Sequence, residues 1–430
     1  MKIANYYPCI YRKLSIALGL GVSLFAVSSH YSAAQDVIST TTNVQTAAEI
    51  ATYWTPERMQ NAEPVPLPEV VQPSSSSSVS SSALPAGAKP SYAPGWAPGS
   101  GPQPSADLRI EIDKGHALYD VATGLVDTQD GAVPTNPADP LAYAPFQRWT
   151  WFGRYLTYPT STIGKLFFTL NGGNFVCSAS VIQKNTLATA GHCVSDGAGN
   201  FATNFLFCPS YNKGGPSGSG APNPATGCWA FTSATVPSAW FFSAEIDRDY
   251  ACIVTATTGD TVADSVGNVT GWTGRAANWA PRQATIAWGY PQGAPFLGYH
   301  IITTASSEWY SVDMSPSDGT VDQVSKYIGS DQTGGSSGGP WWMNMAHKSA
   351  EYADSDSSGF TDPGQNAVPP GPIINGVNSH KRCLVNCNTP PSNTAGLFWQ
   401  EMGSPPFLFT SGDPAESEDI FTICFDSGGS

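Results

Sequence analysis

The sequence predicts an all-β protein, and three observations lead there. The C-terminal two thirds contain many short, often β-branched runs separated by Gly, Pro, Asn and Ser. Stripes of helical period are few, and the region from residue 146 onward, about 285 residues, is long enough for two modest cores. Short strands with turn signals between them suit barrels or a sandwich, and the pattern alone does not choose between the two.

Taken in order, Met1 to about Ala34 reads as an export signal. Lys2, Arg12 and Lys13 supply a positive start, Leu14–Val27 is an apolar run, and Ser32-Ala33-Ala34 offers small residues for cleavage. A membrane anchor is the competing reading, but the flanking charges give no stop-transfer pattern and no other run is apolar for long enough to span a bilayer. Residues 35–72 are expected to be a prosegment, of modest hydrophobicity with several prolines. Residues 73–105, almost wholly Ser, Pro, Gly and Ala, read as a linker that cannot bury enough apolar surface to offset its ordering entropy. Residues 106–145 regain a short alternation at Leu108, Ile110 and Ile112, and read as further prosegment or an N-terminal arm. The main domain is then expected over 146–430, with strands at 165–170, 174–182, 186–190, 251–256, 283–289, 300–304 and 372–378.

Without Cys9, which lies in the export signal, the cysteines are Cys177, Cys193, Cys208, Cys228, Cys252, Cys383, Cys387 and Cys424. An even set in an exported chain points to disulfides, whose pairing sequence alone leaves open. Cys208 with Cys228 and Cys383 with Cys387 suit short local loops. Zinc binding is the rival, weakened by the lack of paired C-x-x-C spacing.

Three stretches carry chemistry. In Asp331-Gln332-Thr333-Gly334-Gly335-Ser336-Ser337-Gly338-Gly339-Pro340, glycines flank a serine, so a tight turn can aim the Gly335 and Ser337 amides into one concavity beside the Ser337 hydroxyl. A Gly/Ser linker is the bland alternative. Upstream, Leu187-Ala188-Thr189-Ala190-Gly191-His192-Cys193 ends an apolar run on a histidine, a candidate base for a hydroxyl that needs one. Between them, Asp249 opens the apolar run Tyr250–Val254, with Asp247 as its nearby rival. The order is His, Asp, Ser.

Thr189–Cys193 (TAGHC), Asp249–Ile253 (DYACI) and Gly335–Pro340 (GSSGGP) resemble the three signature blocks of the trypsin/chymotrypsin-like serine proteases. Asp331–Gly338 and Gly289-Tyr290-Pro291 lean towards the bacterial glutamyl-endopeptidase branch. The resemblance runs from about Phe146 to the C-terminus. It implies two antiparallel Greek-key six-stranded barrels with the active site in the cleft between them. It also implies His192 as general base, Asp249 as its orienting partner, Ser337 as nucleophile, and the amides of Gly335 and Ser337 as oxyanion hole. A bridge between Cys177 and Cys193 follows from the same resemblance, which leaves Cys252 with Cys424.

Ser336 stands where trypsin-like zymogens carry an aspartate for the new N-terminus, so maturation is expected to proceed by removal of a covering segment. Substrate preference is divided. Asp331 occupies the place of the acidic residue that selects Lys and Arg in trypsin, yet the glutamyl branch often carries an aspartate there too. On the opposite wall, Asn378 stands where the glutamate-specific relatives have a histidine, Ser379 resembles the pocket serine that bonds the catalytic aspartate, and His380 could recognise a carboxylate or simply be solvated beside Lys381 and Arg382.

Two further expectations concern ions and partners. Net charge −14 and pI ≈ 4.7 argue against nucleic-acid and anionic-lipid binding. No cofactor is required, although Asp354, Asp356, Ser358 and Asp362 space oxygens like the first nine positions of a calcium loop; Gln365 replaces its last glutamate. The expected function is a secreted serine endopeptidase, extracellular or periplasmic, made as a precursor, acting on protein or peptide with no membrane attachment after signal removal. The alternative is a catalytically silent protease-fold binding or adhesion protein. Oligomeric state is not legible in the sequence.

Overall fold

The computed structural model describes residues 38–70, 91–93, 95–98, 110–111, 146–150, 155–212, 220–257, 265–278, 284–314, 321–343, 372–385, 399–407, 420–421 and 423–424. The export signal, most of the linker, the candidate calcium loop and Cys387 lie outside these residues. Among the described residues no helix is long and apolar enough to cross a membrane.

The architecture is mostly β. Strands β1 (Ile38–Thr42), β2 (Glu63–Pro64), β3 (Glu69–Val70), β4 (Ser91–Ala93), β5 (Ile110–Glu111) and β6 (Gln147–Thr150) precede a closed barrel. The barrel is made of β7 (Ile163–Leu170), β8 (Gly173–Val181), β9 (Thr186–Thr189), β10 (Thr203–Pro209), β11 (Trp229–Pro237) and β12 (Ala251–Thr255). Its antiparallel order runs β11-β10-β7-β8-β9-β12 and closes by pairing β12 with β11. Val176, Leu166, Phe167, Phe168, Phe205, Phe207 and Ile253 fill its interior and walls with side chains at most 1% exposed. β10 and β11 are strands that the run-by-run reading did not single out, since Asn204 at positive φ and the Gly/Pro-rich stretch before Cys228 interrupt their pattern.

The second half contains β13 (Gly274–Ala277), β14 (Ala284–Gly289), β15 (Ile302–Ser307), β16 (Trp309–Met314), β17 (Val321–Gly329), β18 (Pro340–Met343), β19 (Ile373–Val377), β20 (His380–Val385) and β21 (Trp399–Ser404). Here the described pairings form two sheets, β5-β4-β13-β19-β18-β14-β15-β6 and β16-β17-β21-β20-β3, and not a closed six-stranded ring. The chain passes from one to the other at Asn378 and Ser379, whose amides bond Gly339 O and Gly403 O on different sheets. The two halves meet where Ser178 N donates to Ser337 O (2.7 Å) and Ser178 Oγ donates to Gly335 O (2.9 Å).

Residues 38–70 are packed onto this body, so structure begins well before residue 146. β1 extends the barrel by antiparallel pairing with β11. Helix α1 (Ala47–Tyr53) carries a capping box from Thr46 and Glu49, and α2 (Pro56–Asn61) starts on Thr55 with proline in its first turn. Ile50 and Trp54 bury against the barrel, with Trp54 Nε1 donating to Asn204 O (2.6 Å). Neither these helices nor the destination of their apolar residues belongs to the expectation for residues 35–72, which is a prosegment. The linker stretch also contributes, since Ser91–Ala93 pair with β13 and Trp96 bridges to Trp272.

Lys165 sits on β7, 1% exposed, with Nζ donating to Gln292 Oε1 (2.6 Å) and Gly298 O (3.2 Å). Burial pushes its pKa down to about 7. Because the folded pKa lies below the unfolded value, the unfolded chain binds more protons between about pH 7 and 10, and stability rises with pH across that window. Lys165→Met is expected to flatten that rise, read from melting temperatures at pH 7 and pH 9.5.

Candidate active site

His192 lies on a 3-10 turn (Gly191–Cys193) just after β9, and Asp249 follows another (Ile246–Arg248) just before β12. β9 and β12 are paired with Thr189 opposite Ala251, so barrel register alone brings the two side chains together. His192 Nδ1 and Asp249 Oδ2 are 2.8 Å apart, and the His192 backbone N–H donates to Asp249 Oδ1 at 2.7 Å. Asp249 is fully buried. Asp247, its sequence rival, instead faces Arg248. Ser379 Oγ donates to Asp249 Oδ2 (2.6 Å), so the carboxylate that orients the imidazole is itself fixed from the second half. The Cys177–Cys193 bridge adjoins His192 with an S–S distance of 2.05 Å, and bridges Cys208–Cys228 and Cys252–Cys424 are formed as well. Cys177, His192 and Cys193 are close enough to suggest metal ligands, but the two sulfurs are bonded to each other.

The serine loop is held between the halves. Gly335 (φ 94°) and Gly338 (φ 78°) both take left-handed conformations that other residues rarely adopt. A side chain at Gly338 would run into Thr189 Oγ1 and Ser178 O, so the glycine lets the loop press against the strand leading to His192. Gly338 N donates to Asn378 O and Gly339 N to Ser336 O, which closes the turn around Ser337. His192 Nε2 and Ser337 Oγ are both buried without a hydrogen-bond partner. That is the nitrogen a general base would use and the oxygen it would deprotonate. Gly338→Ala is expected to cost about 1–3 kcal/mol for the positive φ alone, seen as a lowered melting temperature.

Of the four residues read as pocket determinants, Ser379 is bonded to Asp249 as described, and the other three behave differently from one another. Asp331 forms an ion pair with Arg148 of β6. Burial raises its pKa, and Arg148 partly offsets that rise. Asn378 is wholly engaged in the framework: Oδ1 accepts from Trp341 Nε1, and Nδ2 donates to Trp288 O and Ser336 O. His380 is not a solvated loop residue. It is 0% exposed on β20, with Nδ1 on Ser379 Oγ (2.8 Å) and Nε2 on Tyr327 OH (2.9 Å). Arg382 is also buried, paired with Glu401 and stacked over Tyr327 at 4.0 Å from the ring centroid. Alternation along β20 turned these residues inward, a placement that depends on the β21 partner strand and not on local composition.

No family model matches the chain, and no curated protein matches it. Solved structures similar to it include a thermostable serine protease, AL20, from an extremophilic microorganism (29% identity, covering 57% of this chain and 91% of that one, TM-score 0.40). Others are the protease Anisep from Arthrobacter nicotinovorans (27% identity, 60% and 95% covered, TM-score 0.40) and a Glu endopeptidase (17% identity, 65% and 95% covered, TM-score 0.37). All three are proteases.

Proposed function

We propose that the chain is a serine endopeptidase, exported as a precursor, that hydrolyses peptide bonds through an acyl-enzyme. The supporting observation is the imidazole of His192, gripped by Asp249 through both its Nδ1 and its own backbone N–H, beside a glycine-turned serine loop. In this reading His192 Nε2 takes the Ser337 proton as Oγ attacks the carbonyl carbon. The Gly335 and Ser337 amides hold the oxyanion, and the same imidazolium then protonates the leaving amine. Asp249 fixes the tautomer with Nδ1 protonated and stabilises the imidazolium. Water repeats the sequence on the acyl-enzyme and releases the acid.

Neither charge suggested for substrate selection is unengaged. Arg148 already matches Asp331, and both ring nitrogens of His380 are bonded. A preference for Lys or Arg before the cut is therefore not expected of the parent protein. The test is digestion of an unfolded protein mixture by the processed protein, with cleavage sites read by mass spectrometry against a Ser337→Ala control. Ser337-dependent cuts support the endopeptidase; their absence, with no labelling by a fluorophosphonate, moves the protein to the silent binding reading.

A further inference from the structure

Ser337 is 0% exposed and His192 6% exposed, so a nucleophile that must touch a substrate carbonyl is shut away from it. A segment of the chain itself lies against the serine loop. Ala62 O accepts from Gln292 Nε2 (2.7 Å), and Val65 N donates to Val176 O (3.2 Å) beside the parallel pairing of β2 with β8. Val65 O accepts from Gly335 N (3.2 Å), the amide assigned above to the oxyanion hole. Pro68 O accepts from Lys381 N (2.8 Å), and β3 continues parallel to β20 next to Ser379 and His380. Between these anchors Leu67 is 6% exposed, grouped with Ala287, Ile328, Trp341 and Met402.

We propose that residues 62–70 are a built-in strap that inhibits the active site by threading from β8 past Gly335 to β20, with Val65 O on the oxyanion donor and Leu67 as its apolar plug. This rests on the reading of Ser337 as nucleophile. The sequence Pro64-Val65-Pro66-Leu67-Pro68 suits the task. Alternate prolines fix φ, and each restricts the residue before it to extended conformations, so little entropy is lost on docking. Proline at 66 also means that the bond following Val65 has no N–H and a rigid ring on its leaving side. The grip is releasable: it consists mainly of single backbone hydrogen bonds, two strands of two residues each and one ion pair, Glu69–Lys381, whose Glu69 side chain is 48% exposed. Departure of the strap would return the Gly335 amide and open the way to Ser337.

The full-length secreted chain is tested by its rate of labelling with a fluorophosphonate, in the parent and in Leu67→Asp, Glu69→Lys and Ser337→Ala. Leu67→Asp is expected to label about tenfold faster or more than the parent, the factor set by loss of one buried apolar plug. Glu69→Lys, at a half-exposed position where folding is not at stake, is expected to give a smaller rise through repulsion from Lys381. Ser337→Ala should not label. Ser337-dependent labelling at one rate in the parent and both strap variants would overturn the strap and leave the endopeptidase reading standing. Absence of Ser337-dependent labelling in every form would overturn both.

Discussion

Alanine at position 337 is expected to lower peptide-bond turnover by roughly a million-fold, and alanine at 192 by a similar factor, because the two residues act as one unit. The double variant should therefore fall little further than either single one. Folding should survive both changes. Ser337 Oγ and His192 Nε2 make no hydrogen bond in the structure, so truncating Ser337 forfeits none, and the backbone N–H that anchors His192 to Asp249 persists in alanine. Steady-state kinetics on a peptide substrate, beside an unchanged melting temperature for Ser337→Ala, checks the pair; His192→Ala, which also removes the Nδ1 bond to the buried Asp249 carboxylate, is expected to melt lower. Turnover near the parent level in Ser337→Ala would remove it from the chemistry.

Asp249→Asn is expected to cost about 10⁴-fold in kcat. The amide can still bond the histidine, but it offers an N–H where Asp249 Oδ2 now faces Nδ1, which favours the wrong tautomer and removes the charge that stabilises the imidazolium. Asp249 Oδ2 also accepts from Ser379 Oγ, so an amide NH₂ placed there would meet a second donor. Asp247→Asn provides the control, since Asp247 faces Arg248 and not His192. Its effect on kcat should be small even if its burial makes it matter for stability. Equal losses in the two variants would show that fold disruption, not tautomer control, is being measured.

The sequence by itself determined the β class and singled out His192, Asp249 and Ser337 as the candidate residues. Short β-branched runs separated by turn residues bound β7, β8, β9, β12, β14, β15 and β19 to within a few positions, and glycines at 335 and 338 are needed wherever the chain must take positive φ. The order of His192, Asp249 and Ser337 was legible because each sits in a local pattern. Tertiary structure decided what those patterns could not express. That Asp249, the choice its signature block already implied over Asp247, reaches His192 follows from the register of β12 on β9. The role of His380 depended on the β20–β21 pairing, which buries it between Ser379 and Tyr327. The Arg148 partner of Asp331, 183 residues away, could not be read from the local sequence. Residues 35–72 read only as a prosegment of modest hydrophobicity because Ile50, Trp54 and Leu67 find their apolar surroundings on distant strands. Local propensity acts over a few residues, whereas burial and ion pairing are set by whichever segments the fold makes neighbours.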